Sequence, residues 1–168
     1  NCAPPALRVV VDDVWDAGER PLALAMRPGG GPAVLSWARE KAAAFLESPS
    51  AVHPTRVATV LNLNALDGDE GLLELYRERF ETASLPTDRS QFLSAMGSFR
   101  DPALQERALQ YCVDGPVRPN EMFNIPFGVA AVAGDSDVRW NWLTANYDRI
   151  FAKLPTIYGV YMPYMASG

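Results

Sequence analysis

His53 is the one histidine in this 168-residue chain, and that limits the chemistry the chain can carry. A catalytic zinc takes three protein ligands, drawn from His with a carboxylate or Cys, and keeps a fourth position open for water. The helix-borne His-Glu-x-x-His pair of zinc peptidases needs two imidazoles on one helix face, which a single histidine cannot supply. A Ser–His or Cys–His dyad would have to use the same ring. Ser48 and Ser50 lie beside it, but without the strand–turn–helix setting that exposes a nucleophile. Within Ser50-Ala51-Val52-His53-Pro54 the imidazole reads as a surface loop residue ahead of a helix.

The carboxylates fare similarly. Asp12-Asp13 and the group Asp67, Asp69, Glu70 offer neighbouring acids, yet acid–base work needs two carboxyl groups converging in a desolvated cleft. Neighbours in a loop or on an amphipathic helix face water, so solvated decoration is expected. Asp67-Gly68-Asp69-Glu70-Gly71 also lacks the later bidentate Glu of a calcium loop. Gly29-Gly30-Gly31 precedes a helix, but no strand leads into it and no Lys-Ser/Thr follows, so a linker fits better than a phosphate cradle. Cys112 falls on an apolar helix face as a small buried hydrophobe, and Cys2 lies near the chain start. The two give neither a disulfide framework nor a metal spacing. No catalytic, cofactor-binding or metal-binding residue is expected in this chain.

The elements that would position these residues are helical. Residues 4–17 place Leu7, Val10, Val11, Val14 and Trp15 at helical intervals before Gly18, although Arg8-Val9-Val10-Val11 also fits a short strand. Residues 21–26 suit a short helix. Pro28-Gly29-Gly30-Gly31-Pro32 is then the clearest linker, since three glycines hold a helix poorly and the prolines bar its continuation. This divides the chain into residues 1–32, N-terminal helices and linker of the same helical domain, and residues 33–168, a helical-repeat domain.

Helices are predicted at 33–47, at 55–66 with Thr55 as N-cap, and at 69–83 with Leu72, Leu73, Tyr76 and Phe80 inward. Another begins at Thr87 and carries Phe92, Leu93, Met96 and Phe99. The next opens on Asp101 and Pro102, with Leu104, Ala108, Tyr111 and Cys112 inward. Residues 120–132 make a poorer helix, interrupted at Pro126 and Gly128. Residues 137–154 make a strong one, with Trp140, Leu143, Tyr147, Ile150, Phe151 and Leu154 in register, and an apolar tail follows at 157–165. Trp140 and Trp142, two apart, cannot share a helix face; one belongs to the core and the other to a neighbouring layer or a surface groove. None of these short helices can bury its stripe alone, so an all-α fold of stacked antiparallel helix pairs is expected, a HEAT/armadillo-like α-solenoid with pairs at 55–83, 87–114 and 120–154. An irregular helical bundle is the alternative.

Composition supports one folded body: 48% apolar residues supply a core, and 21% charged residues are too few for a disordered chain. The net charge of −5, with Lys and Arg scattered singly, lacks the footprint of a nucleic-acid binder. No apolar run reaches the ~20 residues of a membrane span. The chain starts at Asn1 without a basic, leader-like segment, and reads as an excised or processed piece.

The phrases Ser98-Phe99-Arg100-Asp101-Pro102-Ala103-Leu104, Asp114-Gly115-Pro116-Val117-Arg118-Pro119-Asn120-Glu121 and Val138-Arg139-Trp140-Asn141-Trp142-Leu143-Thr144-Ala145-Asn146-Tyr147 occur in this order. Their succession resembles the C-terminal helical domain of the zinc aminopeptidases related to aminopeptidase N, the puromycin-sensitive enzyme and the endoplasmic-reticulum peptide trimmers. The likeness is best over 99–154 and fades back to about residue 33. It implies a non-catalytic domain that closes the active-site chamber of a zinc-dependent metallo-aminopeptidase and shapes peptide access. The zinc would sit in a catalytic domain of the same polypeptide, and the partners would be that domain and peptide substrates, with no nucleic acid and no membrane. Among the residues in these phrases, Asp101 and Pro102 have a capping explanation, and Trp140, Trp142, Asn146 and Tyr147 a packing one. Arg100 and Arg118 are candidates for a peptide or domain contact, with pairing to a loop carboxylate or helix C-terminus as the competing role. A free-standing helical-repeat scaffold that binds a protein or peptide is the alternative function.

Overall fold

Prolines and aspartates set where the helices begin. The computed structural model describes residues 31–133 and 137–165, and every element in them is helical. The expectations for residues 4–17, 21–26 and 28–30, and for Cys2 and Asp12-Asp13, lie outside the described residues. Helix α1 spans Gly31–Glu47, α2 Pro54–Ala65, α3 Glu70–Thr82, α4 Pro86–Met96, α5 Pro102–Asp114, α6 Asn124–Ala133, α7 Asp137–Ala145 and α8 Tyr147–Lys153. Short 3₁₀ turns occupy Pro49–Ala51 and Pro119–Glu121, and a longer 3₁₀ segment runs Thr156–Met165. Gly31 and Pro32, read as linker, are the first residues of α1, where a missing proline N–H costs nothing.

The chain separates between Asn64 and Ala65 into two compact units. In the first, α1 buries Val34, Leu35, Ala38, Ala42 and Phe45 at intervals of one helical stripe, with Trp37 buried beside them. Pro49 ends α1 and starts the 3₁₀ turn. The ring of His53, rather than Thr55, caps α2: Nδ1 accepts the Thr55 N–H at 3.4 Å and lies 2.8 Å from its hydroxyl, while the His53 carbonyl accepts from Arg56. Pro54 shifts the start of α2 one residue ahead of Thr55, so the cap falls on His53. Along α2, Val57, Val60, Leu61, Leu63 and Ala65 are all buried, which leaves little polar face.

In the second unit the heaviest packing joins α4 to α3 and to α6, while α5 lies against α3, α6 and α7. A short link between α3 and α4 leaves the 13-residue α3 no room to do anything but fold back against its successor. The chain thus stacks through α3–α4, α4–α6 and α5–α7 contacts, which are offset from the pairs 55–83, 87–114 and 120–154 read from the sequence. The offset arises because hydrophobic periodicity shows which helices need partners but not which neighbour each one takes.

Three local expectations are corrected. Thr87 does not cap α4; Leu85 occupies the N-cap position without a side-chain bond, and Pro86 starts the helix. Residues 124–133 are not interrupted. Pro126 sits in the first turn, where no N–H is required. Gly128 is a packing site, since a Cβ there would lie 2.5 Å from the Ser94 carbonyl and 3.0 Å from the Cα of Gly97. A Cβ on Gly97 would lie 2.3 Å from the Ile125 carbonyl, so the two glycines let α6 approach the end of α4 backbone to backbone. The third correction concerns residues 137–154, which form two helices. Asn146, at φ −115° and ψ 12°, breaks them, and its side-chain amide donates to the Trp142 carbonyl at 3.0 Å alongside its own backbone N–H. After this break Trp142, Leu143, Ile150 and Leu154 are buried, and Trp140, Tyr147 and Phe151 are exposed.

Candidate functional site

Helices α3 and α5 enclose a groove of about 290 Å³, with Leu73, Met96 and Ala108 as its floor and Glu74, Arg77, Arg107, Tyr111 and Asp114 on its walls. The i, i+4 spacing along α3 that buries Leu73, Tyr76 and Phe80 turns Glu74, Arg77 and Glu81 to the rim. Arg107 reaches Glu70 at 2.6 Å and Glu74 at 3.0 Å, and Arg77 reaches Glu74 at 3.0 Å and Glu81 at 3.5 Å. The Tyr111 hydroxyl donates to Glu81 at 2.7 Å, and the Arg77 guanidinium lies 5.5 Å from the centre of the Tyr111 ring. Asp114 accepts from Gln110 at 2.8 Å and from Arg149 of α8.

Two rim groups have shifted acidities. Burial, reinforced by the bond to Glu81, pushes the Tyr111 phenol well above its ordinary range. The hydrogen bond from Gln110, joined by Arg149, holds the Asp114 carboxyl below its usual value. Both groups move away from neutrality, whereas a general acid or base is tuned toward it.

The strongest polar feature of the domain went unread in the sequence. Arg89 on α4 is only 6% exposed, and it donates from Nε to Oε1 of Glu121 at 2.7 Å and from Nη2 to Oε2 at 2.9 Å. It also donates to the carbonyls of Phe80 and Pro116, both at 3.3 Å, and covers the Phe80 ring at 4.1 Å. Glu121 accepts the Arg118 backbone N–H at 3.0 Å, and its own N–H donates to the Arg118 carbonyl at 2.9 Å across the 3₁₀ turn. Its hydrogen bond to Glu121 raises the Arg89 pKa against the opposing effect of burial. Burial alone would raise Glu121, but the bonds from Arg89 and from the Arg118 backbone outweigh it and hold the carboxyl below its usual value. The available signal was slight: Arg89 falls three residues before Phe92 and four before Leu93, on the inner face of α4, where a charge must find a partner.

The residues singled out from the sequence are distributed over several local clusters. Asp101 is the N-cap of α5, accepting the Ala103 N–H at 2.8 Å, with Pro102 behind it in the first turn. Arg100 pairs with Asp67, and its backbone N–H reaches the Leu66 carbonyl at 3.3 Å. Arg118, 58% exposed, lies 3.9 Å from Glu121. The two arginines thus belong to different clusters. Asp67, Asp69 and Glu70 are solvent-exposed, as expected; Asp69 also caps α3 through the Leu72 N–H, and Glu70 pairs with Arg107. Trp142 and Asn146 are buried, while Trp140 is 57% exposed and Tyr147 51% exposed. Cys112 is buried with its thiol against the Met122 carbonyl at 3.2 Å, and burial pushes it up to about 12.

Among the described residues no three His, Cys, Asp or Glu side chains converge as metal ligands, and no described helix is long and apolar enough to cross a membrane. The model of the ERAP1-like C-terminal domain matches residues 11–168. The chain belongs to that family. Aminopeptidase 2 of Candida albicans is 25% identical to it over 126 residues, which are 74% of this chain and 14% of that protein. The mitochondrial Aminopeptidase 2 of Saccharomyces cerevisiae is 25% identical over 107 residues, 64% of this chain and 11% of that protein. The ERAP1-like domain thus spans only a small part of the curated relatives it matches. The resemblance read in residues 99–154 thus extends back to residue 11.

Proposed function

We propose that this chain is the non-catalytic part of a zinc-dependent aminopeptidase that closes over the active-site chamber and shapes which peptides enter. The single observation that carries the reading is family membership over residues 11–168. One histidine cannot furnish the His-Glu-x-x-His pair, so the zinc belongs to a catalytic domain elsewhere in the same polypeptide. Closure by such a domain excludes water and limits access, and it acts on rate and specificity without donating a catalytic group. Of the two candidate arginines, the more exposed Arg118 is the better placed to meet a peptide's acidic end or the catalytic domain, with Arg100 held at Asp67.

The test compares the longest natural reading frame containing this sequence with the 168-residue chain. The longer product is expected to carry stoichiometric zinc and to release nitroaniline from aminoacyl-nitroanilides, with the chain giving no turnover above blank. A reading frame that begins at Asn1, or zinc held tightly by the chain alone, sinks the proposal and leaves a free-standing helical scaffold.

A further inference from the structure

A second groove, of about 340 Å³, lies between α5 and α7 and shares only Gln110 with the first. Glu106 lines it from α5, and Asp137, Val138 and Trp142 line it from α7, where the i, i+4 step sets Val138 over Trp142. Its charge differs in kind from that of the first groove. There Glu74, Glu81 and Asp114 are each met by an arginine. Here no Lys, Arg or His is among the lining residues, and the carboxylates of Glu106 and Asp137 have no hydrogen bond or ion pair among the described residues. The lining also includes a donor without a partner. Trp142 is 7% exposed, and its indole Nε1 is buried without an acceptor. Buried N–H groups are nearly always bonded, so a polar atom left in this state beside a groove is a place for a ligand's acceptor.

We infer that this groove binds a small organic cation: a primary ammonium held by Glu106 and Asp137, a few bonds from a carbonyl oxygen that accepts the Trp142 indole N–H. The two halves of the ligand follow from what each side chain can do. A carboxylate only accepts and asks for a charged donor, whereas an indole N–H only donates and asks for an oxygen. An α-amino amide, the chemistry shared by an amino-acid amide and the first residue of a peptide, is the smallest ligand that carries both. Val138 and the indole ring supply an apolar wall for its side chain, and the volume is at the small end of ligand sites. A bare metal ion fits less well: no three ligating side chains converge among the described residues, and the N–H offers a donor where a metal needs a lone pair. A free amino acid would bring a third carboxylate against two. The site goes beyond the proposed function and stands or falls without it.

Two-dimensional NMR of the isotope-labelled full chain, titrated with leucinamide at low salt and at a pH where the amine is charged, tests this. The Trp142 indole cross-peak, assigned from its loss in Trp142→Phe, is expected to move downfield and saturate; a cross-peak that stays in place overturns the inference. N-acetylleucinamide, which lacks the charge, and isoamylamine, which lacks the carbonyl, are each expected to bind about tenfold more weakly. Binding of either as tight as that of leucinamide overturns it too. Glu106→Gln and Asp137→Asn change exposed side chains without partners, and are expected to leave the Tm nearly unchanged and, combined, to weaken leucinamide about tenfold. Unchanged affinity in that double variant refutes the site. A leucine-led dipeptide amide that binds at least as tightly as leucinamide assigns the groove to the first residue of a peptide, and one that binds severalfold more weakly assigns it to amino-acid-sized amines.

Discussion

The guanidinium of Arg89 and the carboxylate of Glu121, 32 residues apart, meet edge to edge in the interior through two hydrogen bonds of 2.7 and 2.9 Å. Arg89 adds the carbonyls of Phe80 and Pro116, so one side chain ties α3, α4 and the connection into α6 together. Removing one partner strands a buried charge, and Arg89→Met or Glu121→Leu is expected to cost about 3–5 kcal/mol by urea denaturation. The double variant is expected to recover much of that loss, because no unpaired charge is then left buried. Equal and additive losses in a double-mutant cycle refute the coupling.

The same pair gives the fold an acid limit. The folded-state pKa of Glu121 lies below its ordinary value of 4.5, so its contribution is complete above about pH 4.5 and is lost as pH falls through the lower folded value. Stability measured across that window is expected to fall with acid in the native chain and to fall less steeply in Glu121→Gln, which has no carboxyl to protonate. Identical slopes for the two proteins rule out Glu121 as a source of the acid sensitivity.

Gly97 and Gly128 meet where α4 ends against α6, with backbone at 2.3–3.0 Å from the Cβ that each lacks. Alanine at either site forces the backbones apart, and a loss of about 1–3 kcal/mol is expected. Gly71 is the control: a Cβ there meets nothing nearer than the Asp69 carboxylate at 3.4 Å, and alanine in the first turn of α3 is expected to be neutral or stabilising by up to about 1 kcal/mol. Thermal melts of the three variants separate a packing role from a generic glycine effect.

Caps provide a test that position alone decides. Asp69→Ala and Asp101→Ala each remove a side-chain bond to a helix N-terminus and are expected to cost about 1 kcal/mol. Thr87→Ala, one residue inside α4, is expected to cost little, since Leu85 holds the N-cap position. A Thr87→Ala loss as large as the other two would place the cap where the sequence put it.

Cys112 reports on unfolding. Its thiol is buried and pushed up to about 12, so at pH 8 it is almost wholly protonated in the native state. Reaction with a disulfide reagent is expected only at the rate at which α5 opens, and to accelerate in Gly97→Ala and Arg89→Met in proportion to their loss of stability. Rapid stoichiometric labelling of the native chain contradicts the packing of Cys112 against Met122.

The sequence by itself determined the all-α class, most helix spans to within a few residues, the cap at Asp101-Pro102 and the impossibility of a two-histidine zinc motif. Those properties are local: they depend on hydrophobic period, on the fixed φ of proline and on what residue types are present. The tertiary structure alone decided which helices pair, because an apolar stripe does not name its partner. It turned Gly128 from an apparent helix breaker into a close approach to Gly97, and it joined Arg89 to Glu121 across 32 residues, a contact that no local pattern encodes. It also divided residues 137–154 at Asn146 and left Trp140, Tyr147 and Phe151 exposed. Burial is a property of neighbours brought from far along the chain, and a one-dimensional pattern can only state what each face requires.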